Sequence, residues 1–479
     1  MTDLLLVNPL FLCDDPVEQR LMTPYFPLGL LYLAATARDA GYDVSIFDGM
    51  FEASDAAFLA ALEREKPQVV GIGVLATVRA AALRLAVLAH DYGATVIVGG
   101  ADPTGRPESY LQYENNGCRP VDVAVIGEAE QTLLELLPLL LDSEQAREGM
   151  AGVAGLAYLD AGGQLVTTPD RTHCTDLDSL PLPARDLIDV EAYRRAWRGR
   201  HGLFSLSIIA TRGCPYGCKW CQKSVFGRSF RPRSPEAVAE EMRAIKEAYH
   251  PDQLRIVDDV MGIDRQWVRT WHDAVLQQDA VTPFECLSRV DLMDEELVRL
   301  LKEAGCVRIA FGAESGSQKV LDAMNKGTRV PQIRRAADLC RRFGIETYFY
   351  IMLGYPGEEW ADIRQTVALL KETRPDAFSS TIAYPLPGTE FFEEVQHRLL
   401  DMPDWDYTAE NRLLFQRQYS TPFYQWVQRW LHQEWHTARL RAGDDQAPFP
   451  QRMRRHAGRL ASRGMVELLR LTGRDGEGS

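Results

Sequence analysis

The sequence has no long hydrophobic run. None of its apolar stretches approaches the roughly 20 uninterrupted residues that a membrane-spanning helix requires, although 46% of the 479 residues are hydrophobic. The first residues, Met1 to Val7, also lack the basic flank and small-residue cleavage site of a secretory signal. The sequence therefore excludes a membrane-spanning helix, and we expect a cytoplasmic location.

Basic residues and cysteines are both scarce. The sequence contains 53 Lys and Arg but 67 Asp and Glu, which gives a net charge of −14. This charge argues against a nucleic-acid substrate, because binding of the phosphates requires a basic protein surface. Nine cysteines are too few for a disulfide scaffold in a chain of this length. Three of the nine nevertheless fall within the eight residues 214–221, and this clustering indicates metal chemistry.

Short apolar, mostly β-branched runs alternate with Ala- and Leu-rich helical patterns at the start of the chain. This alternation predicts an α/β fold that begins with a doubly wound, Rossmann-like sheet over residues 1–145. Ligands of such sheets bind outside the carboxyl ends of the strands. The predicted strand ends carry Asn8, Leu75, Thr77, Gly99, Gly100 and Glu128.

Three further segments follow. We predict a linker with a small hairpin at 146–200, a partial (β/α)6 barrel at 201–395, and a small, mostly helical C-terminal domain at 396–479. The aromatic residues from Trp405 to Trp435 are interpreted as a helical cap on the barrel, with a partial lining for a hydrophobic or aromatic substrate as the alternative. The Arg-rich run from Arg452 is interpreted as a solvated helix, and contact with anionic lipid or an acidic substrate is the alternative.

The three clustered cysteines, Cys214, Cys218 and Cys221, lie on one loop after the first predicted barrel strand. Three thiolates can hold a 4Fe-4S cluster and leave its fourth iron open, whereas electron-transfer clusters normally fill all four positions. A structural zinc site is the alternative, but it would need a fourth ligand, and no histidine lies between residues 202 and 249. The pattern favours a cluster with one open iron.

The cysteine spacing, with Trp220 directly before the last cysteine, resembles the signature of the radical S-adenosylmethionine (SAM) superfamily. Members bind SAM at the open iron and cleave it reductively to a 5′-deoxyadenosyl radical. The resemblance implies an electron donor such as flavodoxin or ferredoxin. It also implies that SAM contacts come from residues at the barrel strand ends, namely Trp220, Ser288, Arg289, Glu314 and Gly354.

The first domain resembles that of the superfamily branch that binds cobalamin. The G-x-G-x-x-G dinucleotide fingerprint is absent after the first predicted strand. Instead, the segments 73–77 and 98–101 resemble the loops that accommodate the nucleotide tail of cobalamin. Residues 1–89 contain no histidine, so the resemblance implies a cobalamin without a histidine lower ligand.

Membership of this branch implies a methyltransferase. One SAM would methylate reduced cobalamin, a second would yield the radical, and the substrate radical would take the methyl group from methylcobalamin at an unactivated carbon or at phosphorus of a small molecule or natural product. One alternative is a cyclase or rearrangement enzyme that uses cobalamin without net methyl transfer, similar to the anaerobic magnesium-protoporphyrin ester cyclase. Another is a non-catalytic corrinoid-binding or redox-sensing protein, although such a protein would need no SAM site.

Overall fold

Two β-sheets, one in each half of the chain, organise the fold. The computed structural model describes residues 2–142, 149–400, 415–444 and 449–472. The strands are β1 (Leu4–Asn8), β2 (Val44–Asp48), β3 (Val69–Gly73), β4 (Thr95–Gly99), β5 (Val123–Val125), β6 (Leu156–Leu159), β7 (Leu165–Thr167), β8 (Ser205–Ile208), β9 (Thr211–Arg212), β10 (Arg231–Pro232), β11 (Gln253–Ile256), β12 (Phe284–Ser288), β13 (Cys306–Glu314), β14 (Glu346–Leu353) and β15 (Ala377–Ile382).

Helices connect most of these strands. They are α1 (Pro16–Leu21), α2 (Leu28–Asp39), α3 (Asp55–Glu65), α4 (Arg79–Tyr92), α5 (Ala101–Gly105), α6 (Glu108–Leu111), α7 (Glu130–Leu141), α8 (Val190–His201), α9 (Pro235–Tyr249), α10 (Arg265–Gln277), α11 (Glu295–Glu303), α12 (Gln318–Ala323), α13 (Val330–Arg342), α14 (Trp360–Thr373), α15 (Glu390–Val395), α16 (Thr421–Ala442) and α17 (Phe449–Thr472). Among the described residues, none of the helices combines the length and the apolar character needed to cross a membrane.

The first sheet has the strand order β2-β1-β3-β4-β5-β6-β7, and its first five strands are parallel. Side chains of β1 alternate between two apolar layers: Leu5 and Val7 pack with α3 and α4, whereas Leu4 and Leu6 pack with α2 and α7. The predicted doubly wound sheet is confirmed. The hairpin of β6 and β7, which lies in the predicted linker, extends this sheet in the antiparallel sense.

The second sheet has six parallel strands in the order β15-β14-β13-β12-β11-β8. Strands that follow one another in sequence are neighbours in space, with a helical connection after most of them, which is the topology of an open (β/α)6 barrel. The predicted barrel is therefore confirmed, and the carboxyl ends of its strands lie along one edge.

The C-terminal residues form a helical pair. Helices α16 and α17 pack together, and α16 also packs against α14 and β15. The Trp430 ring stacks on Trp360 with 5.5 Å between ring centroids, and Phe423 and Tyr424 are fully buried. These contacts favour the helical cap interpretation. Trp405 and Tyr407 lie outside the described residues.

Candidate active site

The loop that carries the three cysteines leaves and re-enters the barrel through a short antiparallel ladder between β9 and β10. Gly213 begins the loop with a φ of +82°, and a Cβ at this position would overlap the carbonyl oxygen of Ser229. Only glycine accepts this combination of positive φ and close backbone approach. The sequence Arg-Gly-Cys therefore sets the turn that brings Cys214 over the barrel edge.

The middle of the loop is fixed by hydrogen bonds to two later elements. The Lys219 N–H donates to the Met324 carbonyl at 3.1 Å, and the Phe391 N–H donates to the Lys219 carbonyl at 3.0 Å. The Asn325 side chain donates to the Gly217 carbonyl at 2.8 Å. The turn that follows helix α12 and the start of helix α15 thus hold the cysteine segment on both sides.

The three thiols lie mostly out of solvent. Cys214 and Cys218 are 7% and 8% exposed, and burial raises the pKa of Cys221 to about 11. The Lys223 ammonium lies close enough to lower the pKa values of Cys214 and Cys221, and its Nζ is buried without a hydrogen-bond partner in the described part of the chain.

These donors fit an iron–sulfur cluster. Thiolates are the usual ligands of such clusters, and a buried ammonium beside them offsets part of their negative charge. The described ranges contain no group of three or more His, Cys, Asp and Glu side chains arranged as a ready metal site. The assignment of the cluster therefore depends on the donor type, their number and their spacing on one loop.

Asp258, at the end of β11, ties the barrel to this loop. Its carboxylate accepts hydrogen bonds from the Ala210 and Thr211 N–H groups at 2.7 and 3.0 Å, and from the Thr211 hydroxyl at 2.9 Å. Complete burial raises the pKa of Asp258 to about 6. The carboxylate thus fixes the backbone immediately before Gly213.

Arg289, which follows β12, contacts the cysteine loop directly. Its guanidinium lies 3.6 Å from the centre of the Tyr216 ring, and its Nη1 lies 3.8 Å from the Cys218 sulfur. It also donates to both oxygens of Asp291 and to the Lys326 carbonyl. These contacts use four of the five guanidinium N–H groups, so one remains for a ligand. The role in binding a SAM carboxylate stays a prediction.

Glu314, at the end of β13, forms a buried ion pair. Its carboxylate lies 3.2 Å from the Lys326 ammonium, and both side chains are under 10% exposed. Burial raises the pKa of Glu314, and the Lys326 charge opposes that rise. The ammonium also lies 5.0 Å from the centre of the half-buried Trp220 ring, which joins Glu314 to the cysteine loop. Ser288 lies nearby in the sheet, where its hydroxyl donates to the Met261 carbonyl at 2.6 Å.

Gly354 follows β14 with a φ of +77°. Its N–H donates to the fully buried Glu358 carboxyl at 2.6 Å, and burial raises the pKa of Glu358 to about 8. The other oxygen of Glu358 and the Tyr424 hydroxyl have no hydrogen-bond partner in the described residues. A neutral glutamic acid therefore holds the turn at Gly354 near neutral pH.

This buried acid predicts a pH-dependent stability. In the folded protein Glu358 keeps its proton up to about pH 8, whereas a glutamate in the unfolded chain ionises near pH 4.5. The contribution of Glu358 to the stability of the folded state is therefore complete below pH 4.5 and is lost as the pH rises to 8. The variant Glu358→Gln cannot ionise at this position. We therefore expect the free energy of unfolding of the wild type to fall by about 2–3 kcal/mol more than that of Glu358→Gln between about pH 6 and pH 9. Thermal unfolding at both pH values measures this difference.

Glu63→Gln is the control for that experiment, because Glu63 is exposed in α3 and its replacement should give no pH-dependent gain. Equal shifts for the two variants would contradict the neutral state of Glu358.

A cavity of about 340 Å³ lies at the carboxyl edge of the first sheet. This volume is within the roughly 300–1,000 Å³ range of small-molecule sites. The cavity continues beside β3 and β4, where the glycines leave room: a Cβ on Gly71 would lie 2.9 Å from Leu6, and a Cβ on Gly73 would lie 2.9 Å from Leu30. Asn8, Leu75, Gly99, Gly100 and Glu128 line it, and their contact with cobalamin stays a prediction. Thr77 is exposed beside it and is not part of the lining.

The cavity is apolar except near the barrel. The Tyr32 hydroxyl there is buried without a hydrogen-bond partner in the described segments, and Arg212 Nη1 also makes no hydrogen bond there. Arg212 is held by Glu130 at 2.6 Å and stacks over the Tyr32 and Phe226 rings. An apolar slot with the Tyr32 hydroxyl and the Arg212 guanidinium at its mouth fits a corrinoid, whose benzimidazole base is apolar and whose side-chain amides and phosphate accept hydrogen bonds.

The cysteine loop closes the cavity on the barrel side. Val225 and Phe226, which follow Cys221 on the same loop, line the cavity together with Ile209 and Arg212. Gln222 and Ser224 both donate to the Ala101 carbonyl at 3.2 Å, just beyond β4. The two candidate cofactor sites therefore share one loop.

Several residues of these sites were missed by the sequence analysis. Tyr32 lies within an ordinary Ala- and Leu-rich helix and gives no sequence signal. Lys326 lies 12 residues after Glu314, and no local pattern joins them. Arg212 and Lys223, in contrast, flank the cysteine motif in the sequence. A basic residue near each end of that motif could therefore have been predicted as part of the site.

Two domain families match the sequence. The radical SAM superfamily matches residues 208–370, which contain the cysteine loop and the carboxyl ends of the first five barrel strands. The B12 binding domain matches residues 20–137, which contain most of the cavity lining. The matches place each family on the half of the chain that carries the corresponding candidate site.

Known proteins resemble most of the chain. An uncharacterised methyltransferase of Pyrococcus horikoshii is 29% identical over 386 residues, 79% of this chain and 80% of that protein. The anaerobic magnesium-protoporphyrin IX monomethyl ester cyclase of Rubrivivax gelatinosus is 26% identical over 375 residues, 77% of this chain and 66% of the cyclase. The structure of the radical SAM methyltransferase TsrM from Kitasatospora setae, with cobalamin and a 4Fe-4S cluster bound, has a TM-score of 0.66 over 83% of this chain and 75% of that chain, at 22% identity.

Proposed function

We propose that this chain, which belongs to the radical SAM enzymes with a B12-binding domain, is a methyltransferase. Its acceptor would be an unactivated carbon, or phosphorus, of a small molecule or natural product. The similarity to a methyltransferase over 79% of the chain supports this proposal.

The single observation that carries the proposal is the shared loop. Cys214, Cys218 and Cys221 lie on its first half, and Val225 and Phe226 on its second half form a wall of the cavity. A methyl carrier in the cavity and a radical generated at the cysteines would therefore reach one substrate between them. Such proximity is needed for transfer between two cofactors.

The three cysteines would hold a 4Fe-4S cluster, and the cavity lined by Gly99, Gly100 and Tyr32 would hold cobalamin. When bound, the cluster with SAM supplies a carbon-centred radical, and cobalamin supplies a carrier for the methyl group. Asn8, Leu75 and Glu128, which also line the cavity, are further candidate cobalamin contacts.

The residues of the barrel edge would bind and orient SAM. The Glu314 carboxylate can accept hydrogen bonds from ribose hydroxyls, and the remaining N–H of Arg289 can donate to a carboxylate. Trp220 and the turn at Gly354 would border the adenine, and Ser288 would support this edge. Burial of these groups excludes water from the radical, which protects it from side reactions.

We also propose a cytoplasmic location and an electron donor such as flavodoxin or ferredoxin. The net charge of −14 argues against a nucleic-acid substrate, because binding one needs basic surface.

A cyclase that uses cobalamin without net methyl transfer is the second candidate. The observation that favours it is the 26% identity to the anaerobic magnesium-protoporphyrin ester cyclase. The two candidates differ in the fate of SAM, so they predict different products.

The test is anaerobic reconstitution of the full chain with iron, sulfide and hydroxocobalamin, followed by SAM, a reductant and mass analysis. We expect S-adenosylhomocysteine and 5′-deoxyadenosine together, because methylation of the carrier and radical formation consume separate SAM molecules. If 5′-deoxyadenosine formed alone with cobalamin bound, the cyclase would replace the methyltransferase. If cobalamin failed to bind, the function assigned to the first domain would be wrong.

A further inference from the structure

The interior of the barrel is less buried than its outer face. The outward side chains of β13 and β14, which pack against the helices, include Ile309, Phe311, Phe349 and Ile351, and none of these four is more than 2% exposed. Inward side chains alternate with them along each strand, and one of these, Tyr350, is 40% exposed. In a closed (β/α)8 barrel, layers of bulky side chains fill the interior. The interior of this open barrel is instead a cleft, which we call the interior cleft.

Paired charges form the floor of the interior cleft. At the amino ends of four neighbouring strands the inward residues lie in register, and they are Arg255, Glu285, Arg308 and Glu346. Glu285 accepts hydrogen bonds from Arg255 at 2.5 Å and from Arg308 at 3.4 Å, and Glu346 accepts one from Arg308 at 2.6 Å. Burial raises the pKa of Glu18 in α1, and Arg255 opposes that rise, so a further acidic side chain lies near the floor. The floor therefore carries no excess positive charge that would attract an anion.

Above the floor the interior cleft is apolar and has one aromatic wall. Leu287, Ala310 and Tyr348 lie in register in the next inward layer. Gly312 and Tyr350 lie in register in the layer above it. Because the inward residues of β13 here are small, space is left between β12 and β14, which are about 10 Å apart at two strand spacings. The Tyr348 and Tyr350 rings, with 5.1 Å between their centroids, stand on the β14 side of this space.

The interior cleft leads toward the cysteine loop. Gly312, the strand partner of Tyr350, precedes Glu314 by two residues, and the Glu314 ion pair with Lys326 adjoins the Trp220 ring of the cysteine loop. Partial burial raises the pKa of Tyr350, and the charge of Glu314 adds to that rise. The aromatic wall therefore lies directly below the edge that we assign to SAM.

We propose that the substrate places an uncharged, planar aromatic ring in the interior cleft and that Tyr350 binds this ring. This inference rests on the proposed function and names the substrate class for it. Aromatic rings pack offset or edge to face with about 4.5–7 Å between centroids, and the space above Ala310 and Gly312 admits a ring at such a distance from Tyr350. A charged group would be excluded, because its desolvation above an apolar layer has no partner charge to offset it. The ring would hold the neighbouring reacting carbon toward the cysteine loop.

Equilibrium dialysis of the full chain with naphthol tests this proposal. Naphthol is planar and uncharged at neutral pH, and naphthalenesulfonate is the anion with the same rings. We expect naphthol to bind at least about tenfold more tightly than the sulfonate, because only the anion must lose its hydration without a partner. Tyr350→Ala should weaken naphthol binding about tenfold, whereas Tyr350→Phe, which keeps the ring, should stay within about threefold of the wild type. Tyr92→Ala is the matched control, because Tyr92 is also 40% exposed, at the end of α4.

The dialysis is carried out with and without bound hydroxocobalamin, since the cavity of the first sheet can also take an apolar ring. A second variant, Ala310→Phe, fills the interior cleft from β13 and should lose naphthol binding in both conditions. Circular dichroism of each variant identifies misfolding.

Three results would overturn the proposal. They are absence of naphthol binding, equal affinity for naphthol and the sulfonate, and unchanged affinity in both Tyr350→Ala and Ala310→Phe. The dialysis involves no turnover of SAM. Absence of S-adenosylhomocysteine in the reconstitution experiment would therefore count against the methyltransferase alone, whereas loss of ring selectivity would count against the substrate class alone.

Discussion

Replacing Cys221 with alanine is expected to abolish formation of 5′-deoxyadenosine while cobalamin binding persists. The cysteine loop supplies three thiolates, and the variant leaves two. The cysteines of the barrel core, Cys286, Cys306 and Cys340, are buried away from solvent. The loss should exceed the roughly 10- to 100-fold effect of removing an outer-shell partner of a metal site. Mass analysis of the products, with iron and sulfide content, measures it.

Cys118→Ala is the matched control for that variant. Cys118 lies in the first domain, where its sulfur contacts His90, and its replacement should leave the iron content and product yield unchanged. Retention of the cluster in Cys221→Ala would mean that another side chain supplies the third ligand. Loss of cobalamin in the same variant would mean that the loop and the cavity depend on each other for folding.

The arrangement of the fold could be predicted from the sequence because the second sheet and the first five strands of the first sheet are parallel. Strands such as β1 and β3 are buried on both faces, so they appear as nearly continuous apolar runs, and helices such as α4 end at recognisable glycines such as Gly93. The hairpin of β6 and β7 was predicted only as a local feature. Its attachment to β5 depends on long-range pairing that no local pattern contains.

The candidate site could be predicted in part. The three cysteines form a short-range motif, and the strand ends converge because parallel strands share an edge. The network within this edge could not be predicted: Arg289 is held by Asp291, Tyr216 and the Lys326 carbonyl, contacts that bring together three separate segments. These partners compete with a ligand for the N–H groups of Arg289. A ligand-binding role assigned to this arginine from its residue type alone therefore describes only part of its interactions.

The second large effect is expected when a side chain fills the cavity at Gly99, and it concerns cobalamin binding. Gly99 ends β4 beside the cavity, and a Cβ there would lie 3.7 Å from the Val125 side chain, an ordinary contact. Alanine should therefore be accepted, whereas the longer side chain of leucine must extend into the space between β4 and Val125, both of which line the cavity. We expect Gly99→Leu to lose cobalamin at stoichiometric concentration and to make no S-adenosylhomocysteine, while 5′-deoxyadenosine formation continues.

Comparison of the two substitutions at this position separates filling of the cavity from damage to the fold. Gly99→Ala should bind cobalamin within about threefold of the wild type, since an added methyl in ordinary contact costs well under 1 kcal/mol. Cobalamin absorbance after gel filtration gives the bound fraction. Full occupancy in Gly99→Leu would exclude the cavity as the cobalamin site, and equal loss in both variants would assign the effect to the β4 backbone. Loss in the leucine variant alone, together with the Cys221→Ala result, would show that the two cofactor sites can be emptied independently although one loop forms part of both.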